Sequence, residues 1–472
     1  MALVFERVLT EGLGDLSYLI GDDAKSVACV IDPRPDVDVY LELARKRKVS
    51  ITHVFQTHIH EDFLSGALEL AHRTGSATVY ASHEGGPHDY GYEHQPVRDG
   101  QTFEFGDTLL TARHTPGHTP EHLTFLIAEA KHSSHPYGAF SGGSLLINAA
   151  GRTDLLGPEA AEKLVEQQYR TLYEFFAKLG DDVLLHPTHA HGSPCGAQIG
   201  DRLSSSIGYE RRFNPVLQFD DFAAFKRHAL GELPPKPTYY PRLKDANTAG
   251  PEVLGNLPRI PALPARDFHH AVEDGKAQLV DTRNMLGFGG GHIPGALNIG
   301  AHPELSIWAG WMLDVDRPLL LVLEDDAQVE EVAALFWRTG FTRFTGYLAG
   351  GMKAWDNAGM RLDRVRQLTV HELRDKQDHF QILDVRMPDE WKEGHVPKAR
   401  HVFLPELPKK VGSLSKDAPT AVYCDSGYRA SLASSLLLRE GFSDVSNVPG
   451  SWQAWKNAGF PILKGERDGR QS

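Results

Sequence analysis

The sequence predicts an α/β protein built from three modules. Three observations carry that reading. Strand-like and helix-like segments alternate through residues 1–230, residues 233–264 turn Pro-rich with little apolar periodicity, and the remainder repeats itself. In chain order, Ser26–Pro33 (SVACVIDP) is an apolar run that stops at Asp-Pro, and Asp38–Lys48 has apolar residues at helical spacing. Ile51–His58 (ITHVFQTH) is a β-branched strand that runs straight into histidines. Asp62–Gly75 reads as a helix stopped by glycine, and Gly157-Pro158-Glu159 opens a long helix to about Leu179. In the repeat, Leu279–Ile299 matches Ile382–Val402 and Ala349–Met360 matches Pro449–Phe460. Each copy has a strand ending in Asp-x-Arg, a Gly-His-aliphatic-Pro turn, a second strand, a helix, and a last helix carrying Trp355 or Trp455. Two α/β modules of one fold, with parallel sheets, are expected there.

The chain has 472 residues, 41% apolar and 24% charged, which is enough for several packed cores. Lys+Arg number 49 and Asp+Glu 62, a net charge of −13. A polyanionic partner is repelled at long range, so neither nucleic acid nor membrane is expected as a partner, whereas a small anion needs only one local basic pocket. Three cysteines, Cys29, Cys195 and Cys424, lack CxxC spacing. That argues against a disulfide scaffold or zinc ribbon and for a reducing, cytoplasmic setting. The first residues lack the apolar stretch of a signal peptide, and no apolar run reaches the ~18 residues of a membrane span. Histidine is the unusual count, 24, with many in tight groups in the first 200 residues.

Thr420–Gly441 (TAVYCDSGYRASLASSLLLREG) reads as strand, loop and helix, with Cys424 at the strand's end and Asp425–Arg429 as the loop. Loop amides, the positive helix end and Arg429 would converge on the sulfur and stabilise a thiolate, a persulfide or a bound oxyanion. Gly427 permits the tight turn. With this loop and the DVR and GHVP segments, the two repeats resemble rhodanese domains. The resemblance implies a persulfide on Cys424, with Arg429 catalytic and Asp425, Ser426, Gly427 and Tyr428 completing the substrate loop. The first repeat has Glu324 where the second has Cys424, and no Gly or Arg counterpart. A carboxylate there neither carries sulfur nor attracts an anion, so this copy is expected to be catalytically silent.

Thr57–Phe63 (THIHEDF) follows an apolar strand. In an extended segment His58 and His60 point the same way, with Asp62 next in register. His114–Phe125 (HTPGHTPEHLTF) supplies His118, and His186–Gly192 (HPTHAHG) supplies His189. Three strand-end clusters point to a metal site. These motifs, together with Gly151–Leu156 (GRTDLL) and His191–Gly196 (HGSPCG), resemble the metallo-β-lactamase fold, an αββα sandwich, and within it the persulfide dioxygenases. The resemblance covers roughly residues 1–220 and implies one iron(II) held by His58, His118 and an aspartate, with zinc as the second choice. Gly143 stands where that aspartate is expected; if the site is thereby one ligand short, Gly143→Asp is expected to raise iron affinity, and if His60 or Asp62 already completes it, the same substitution is expected to crowd the site. Phe63 stands where glyoxalases and lactamases have a second-metal histidine, which argues against a dinuclear hydrolase. The resemblance also puts Arg152 and Asp154 at substrate-orienting positions and Cys195 near the active site; a loop salt bridge and a packing role are the plain alternatives. Cys29 is expected in the core.

The expected modules are residues 1–232, a linker 233–259, a silent copy 260–362 and an active copy 363–465. The expected function is oxidation of a low-molecular-weight thiol persulfide to sulfite, with sulfane sulfur from a persulfide or thiosulfate carried by Cys424. Two alternatives stay open: a glyoxalase II-type thioester hydrolase fused to a sulfurtransferase, and a degenerate metal domain serving as a platform. A homo-oligomer also stays open.

Overall fold

The computed structural model describes residues 3–86, 90–231 and 233–465. The chain forms two compact units, one reaching Leu257 and including Ala334–Phe341, the other taking Pro258–Ala333 and the chain from Thr342 on. The boundary expected at 232 falls on a residue outside those described.

The first unit holds two six-stranded sheets. One runs β1 (Leu3–Thr10), β2 (Asp15–Asp22), β3 (Val27–Ile31), β4 (Ser50–Phe55), β5 (Thr78–Ser82) and β6 (Gln95–Val97) in sequence order. The other contains β7 (Thr102–Phe105), β8 (Thr108–His114), β9 (Leu123–Glu129) and β10 (Gly138–Gly142). A small ribbon follows, β11 (Leu145–Leu146) with β12 (Ala149–Ala150), and then β13 (Leu184–Pro187) and β14 (Ser205–Ser206) complete the second sheet. The inward faces of the sheets, with Tyr18, Phe55, Phe105, Phe125 and Phe140, form the central core. Helices Asp38–Arg47 and Ala67–Thr74 cover the outside of the first sheet, burying Tyr40, Ala44 and Leu70. Helix Pro158–Arg170 covers the second with Leu172 and Phe176, and continues through a π turn and a 3-10 turn as far as Lys178. This is the expected αββα sandwich. Segments 57–65, 114–122, 141–144 and 187–195 all leave strand ends on one edge of it.

Segment 233–259, expected as a linker, instead contains helix Tyr240–Ala249, which buries Tyr240, Leu243 and Asn247. Only three of its ten residues are buried and one of them is an asparagine, so it shows no apolar stripe at helical spacing.

The second unit holds two five-stranded parallel sheets. The first pairs β15 (Ala262–Leu263), β19 (Phe344–Leu348), β18 (Leu319–Val322), β16 (Gln278–Asp281) and β17 (Leu297–Asn298) in that spatial order. The second pairs β20 (Arg366–Gln367), β24 (Val445–Asn447), β23 (Thr420–Tyr423), β21 (Gln381–Asp384) and β22 (Arg400–His401) in the same order. The central strands β18 (LLLV) and β23 (TAVY) are buried along their whole length, as parallel strands covered on both faces require. The Asp-x-Arg signature is a buried ion pair in each copy. Arg283 Nη2 donates to Asp281 at 2.6 Å and to Gly291 O at 2.8 Å, and Arg386 Nη2 donates to Asp384 at 2.6 Å and to Gly394 O at 2.7 Å. Among the described residues no helix is long and apolar enough to cross a membrane.

His186 sits in an aromatic nest of the sandwich, stacked on Phe140 and 5.0 Å from the Phe5 ring. Burial, and then Arg7, bring its pKa from 6.5 down to about 4. The folded state therefore binds this proton less readily than the unfolded chain. His186 costs nothing above pH 6.5, destabilises progressively as the pH falls toward about 4, and no further below that. That gap corresponds to roughly 3 kcal/mol. His186→Phe should flatten the unfolding free energy over this window in urea titrations; an unchanged slope counts against the assignment.

Candidate metal centre and cysteine loop

The histidine segments converge because four strand ends deliver them to one place. Nitrogen donors of His58, His118 and His189 lie within 4.8 Å of one another, and all three residues are buried. Their hydrogen bonds set the tautomers. Thr57 Oγ1 spends its proton on Asp32 at 2.7 Å, so His58 Nδ1 donates to that hydroxyl at 2.8 Å. His118 Nδ1 donates to Arg152 O at 2.8 Å. His189 Nδ1 donates to Asp15 at 2.9 Å and faces Asp62 at 3.0 Å. Each imidazole is thus held by Nδ1 and turns Nε2 inward, the arrangement by which outer partners orient metal-binding histidines. His58 Nε2 and His189 Nε2 are 3.2 Å apart. Lone pairs facing each other at that distance repel unless a proton or a cation lies between them. Burial, and then His189, bring the His118 pKa down to about 3, which keeps its ring neutral and its lone pair available. The donor set fits a divalent metal ion.

The other expected ligands lie beside this trio. His60 Nε2 is 3.2 Å from Asp32, yet neither of its ring nitrogens has a hydrogen-bond partner. His60 groups with Asp32 and His58, and also with Asp62 and His189. Asp62 Oδ2 faces His189 and accepts from the Cys195 thiol at 3.4 Å, while its Oδ1 has no partner. Phe63 lies over the His60 ring with centroids 4.3 Å apart, so an apolar face occupies that side. His122, which sequence reasoning did not single out, is also buried. It accepts from Gly143 N–H and bonds Thr115 through its other nitrogen, so both are occupied within the protein. His189 joins the trio although the reading above leaves it off the ligand set; its signal is its strand-end position, shared with the other two.

Gly143 lies against His118, and a Cβ there would stand 2.3 Å from His118 Cδ2. Of the two expectations for Gly143→Asp, this contact favours crowding: the aspartate would displace the imidazole before it completed a site.

Arg152 and Asp154 form a two-bonded ion pair at 2.7 and 2.8 Å. The remaining Arg152 donor, Nη1, reaches Pro194 O and Pro234 O. Its backbone accepts from His118 and donates to Cys195 O at 2.8 Å. Arg152 therefore ties the His118 segment to the Cys195 segment, with all three guanidinium nitrogens engaged within the protein. Burial, and then Asp62, push the Cys195 thiol up to about 11, so it is uncharged at neutral pH. Tyr240 Oη lies 3.6 Å from its sulfur. Cys29 is buried in β3.

In the second unit Cys424 directly follows β23 and is buried. Gly427 N–H donates to its Sγ at 3.0 Å, and helix Tyr428–Arg439 starts at the loop. Gly427 has φ +101°, and a Cβ there would strike Pro449 O at 2.5 Å, so glycine is required. Arg429 departs from expectation. It makes a two-bonded pair with Glu390, at 2.6 and 2.8 Å, rather than pointing a free guanidinium at the sulfur. Asp425 accepts from Gln453 at 2.6 Å, and Tyr428 Oη donates to Gly300 O at 3.0 Å. In the first copy Glu324 accepts from the Asn284 side chain at 2.9 Å. A cavity of about 400 Å³ lies there, lined by Glu324, Asn284 and Glu304 and by Ser426 and Tyr428 of the cysteine loop.

A sandwich with strand-end histidines and two modules of one parallel fold define the class: a metallo-beta-lactamase domain followed by two rhodanese-like domains. The Metallo-beta-lactamase superfamily profile matches residues 11–132, and the Rhodanese-like domain profile matches 264–358 and 369–458. The first domain is homologous to persulfide dioxygenases, and the fusion is an enzyme with sulfur-related activity. The persulfide dioxygenase ETHE1, mitochondrial, of Bos taurus is 29% identical over 203 residues, 43% of this chain and 70% of that protein. A hydroxyacylglutathione hydrolase of Polaromonas sp. is 32% identical over 189 residues, 40% of this chain and 66% of that protein. A crystal structure of a metallo-beta-lactamase from Staphylococcus aureus subsp. aureus COL aligns with a TM-score of 0.66 and 28% identity, covering 74% of this chain and 99% of that one.

Proposed function

We propose that this chain oxidises a low-molecular-weight thiol persulfide to sulfite at the histidine centre and carries sulfane sulfur on Cys424, in the cytoplasm. The observation that carries the reading is Phe63 lying over His60 beside a single three-imidazole nest, which suits one ion rather than two. His58, His118 and His189 would hold the ion, and iron(II) there would supply the redox chemistry toward dioxygen. The reaction balances as persulfide, dioxygen and water giving thiol, sulfite and two protons. The uncharged Cys195 thiol and the Asp62 carboxylate flank the nest and would orient a bound persulfide there. A cavity of about 370 Å³ lined by Gly151, Gln168 and Arg227 offers room and positive charge for an anionic thiol carrier such as glutathione.

In the transfer step the Cys424 thiolate attacks the sulfane sulfur of a persulfide or thiosulfate. The donor's S–S bond breaks, thiolate or sulfite leaves with the electron pair, and the Cys424 persulfide forms. An acceptor thiolate then reverses the exchange. Joining both sites in one chain raises the local concentration of the shared intermediate.

A second reading rests on the donor set itself. Three imidazole donors without a carboxylate among them also suit a water-activating zinc, hence thioester hydrolysis. Metal analysis with oxygen uptake on glutathione persulfide separates the two. Iron near one per chain with sulfite formation is expected. Zinc with hydrolysis of a glutathione thioester and no oxygen uptake replaces the first reading with the second.

A further inference from the structure

Helix Tyr240–Ala249 lies outside the sandwich sheets and beyond the segment that the metallo-beta-lactamase profile matches. Its residues at i, i+4 and i+7, namely Tyr240, Lys244 and Asn247, share one face, and that face meets the segment carrying His58, His60 and Asp62. Tyr240 Oη stands 3.6 Å from the Cys195 sulfur. The Lys244 ammonium donates to Glu61 at 2.6 Å. Asn247 is fully buried and spends its amide on the loop backbone. Its Nδ2 donates to His60 O and to Phe63 O, each at 2.8 Å, and its Oδ1 accepts from Ser65 N–H at 2.8 Å.

Residues 56–66 have no strand or helix hydrogen bonds of their own. Backbone elsewhere meets some of their buried groups, as Leu123 N–H meets Thr57 O and Pro33 O meets Gly66 N–H, and side chains must meet others, because an unmet buried carbonyl or amide is costly. Glu121 meets Ile59 N–H at 2.8 Å, and Asn247 meets three groups from residue 60 to residue 65. Two carbonyls and one amide demand a side chain with both donor and acceptor at this length. Asparagine supplies both; aspartate, of the same size, supplies acceptors alone.

We propose that Asn247 is a positioning residue of the metal centre. It fixes the backbone path of residues 60–65 and thereby the directions of His60 and of Asp62, the carboxylate that faces His189 Nδ1 at 3.0 Å. The proposal rests on reading the histidine nest as a metal centre, and it makes helix Tyr240–Ala249 part of that centre.

The test uses the full chain as wild type, Asn247→Asp and Asn247→Ala, each stripped with chelator and titrated with cobalt(II), whose visible bands report ligand geometry. Both variants should bind cobalt at least about tenfold more weakly, the lower end of what loss of an orienting partner costs, and should shift its bands. Sulfur transfer through Cys424, measured on the same samples, should stay at the wild-type level, as a folded second unit requires. Asn247→Asp with wild-type affinity and bands overturns the proposal, since packing alone would then suffice. Should Asn247→Ala fail to fold, the equal-sized Asn247→Asp still decides. Failure of wild type itself to take up cobalt defeats the metal reading and this proposal together; uptake by wild type and Asn247→Asp alike defeats only this one.

Discussion

Cys424→Ser should abolish sulfur transfer, lowering the rate by about three orders of magnitude or more, as loss of a covalent nucleophile does. A serine hydroxyl does not ionise near neutral pH and forms no persulfide. The substitution is otherwise mild. The residue is buried, its backbone N–H is held by Ser451 at 3.1 Å, and a serine oxygen can accept from Gly427 N–H in place of sulfur. Metal content and thermal stability should therefore match wild type. Thiosulfate-to-cyanide transfer reads the outcome directly, and a variant that keeps half the wild-type rate removes the chemistry from this loop.

His118→Ala should strip the sandwich of its metal, weakening affinity about a hundredfold or more, because it deletes one donor of three from a site with few substitutes. His189→Ala should do the same. His122→Ala should retain metal, since both nitrogens of that ring are bonded within the protein. The three variants differ by one imidazole each within the same buried nest, so general loosening would affect them alike. Metal content after dialysis against a weak chelator measures it. Loss in His122→Ala with retention in His189→Ala would exchange their roles.

Local pattern carried the fold reading far. The Asp-x-Arg pair and the paired tryptophans recur because each module needs the same buried ion pair and the same closing helix, so sliding the sequence on itself finds both. The site was less legible wherever partners come from distant segments. His58, His60 and Asp62 look aligned if residues 57–63 are extended. The strand ends at Phe55, the segment becomes a loop, and the two-residue alternation no longer applies. His189 reaches the nest two residues beyond β13, and its strand-end position is its one local signal. Arg429 pairs with Glu390 and Arg152 with Asp154, so residues that resemblance gives to a substrate are engaged within the protein. Helix Tyr240–Ala249 escaped because it buries only Tyr240, Leu243 and Asn247, too few apolar positions for a periodic stripe.

The helix that carries the cysteine loop leans on the first rhodanese-like module. Ser431 Oγ meets Asn298 at 2.6 Å, Ser435 Oγ accepts from Asn298 N–H at 3.0 Å, and Tyr428 Oη bonds Gly300 O. The copy with Glu324 at the cysteine's position thus serves as architecture for the copy that carries Cys424. A protein engineer who excises the C-terminal module as a stand-alone catalyst removes the neighbour of its working helix.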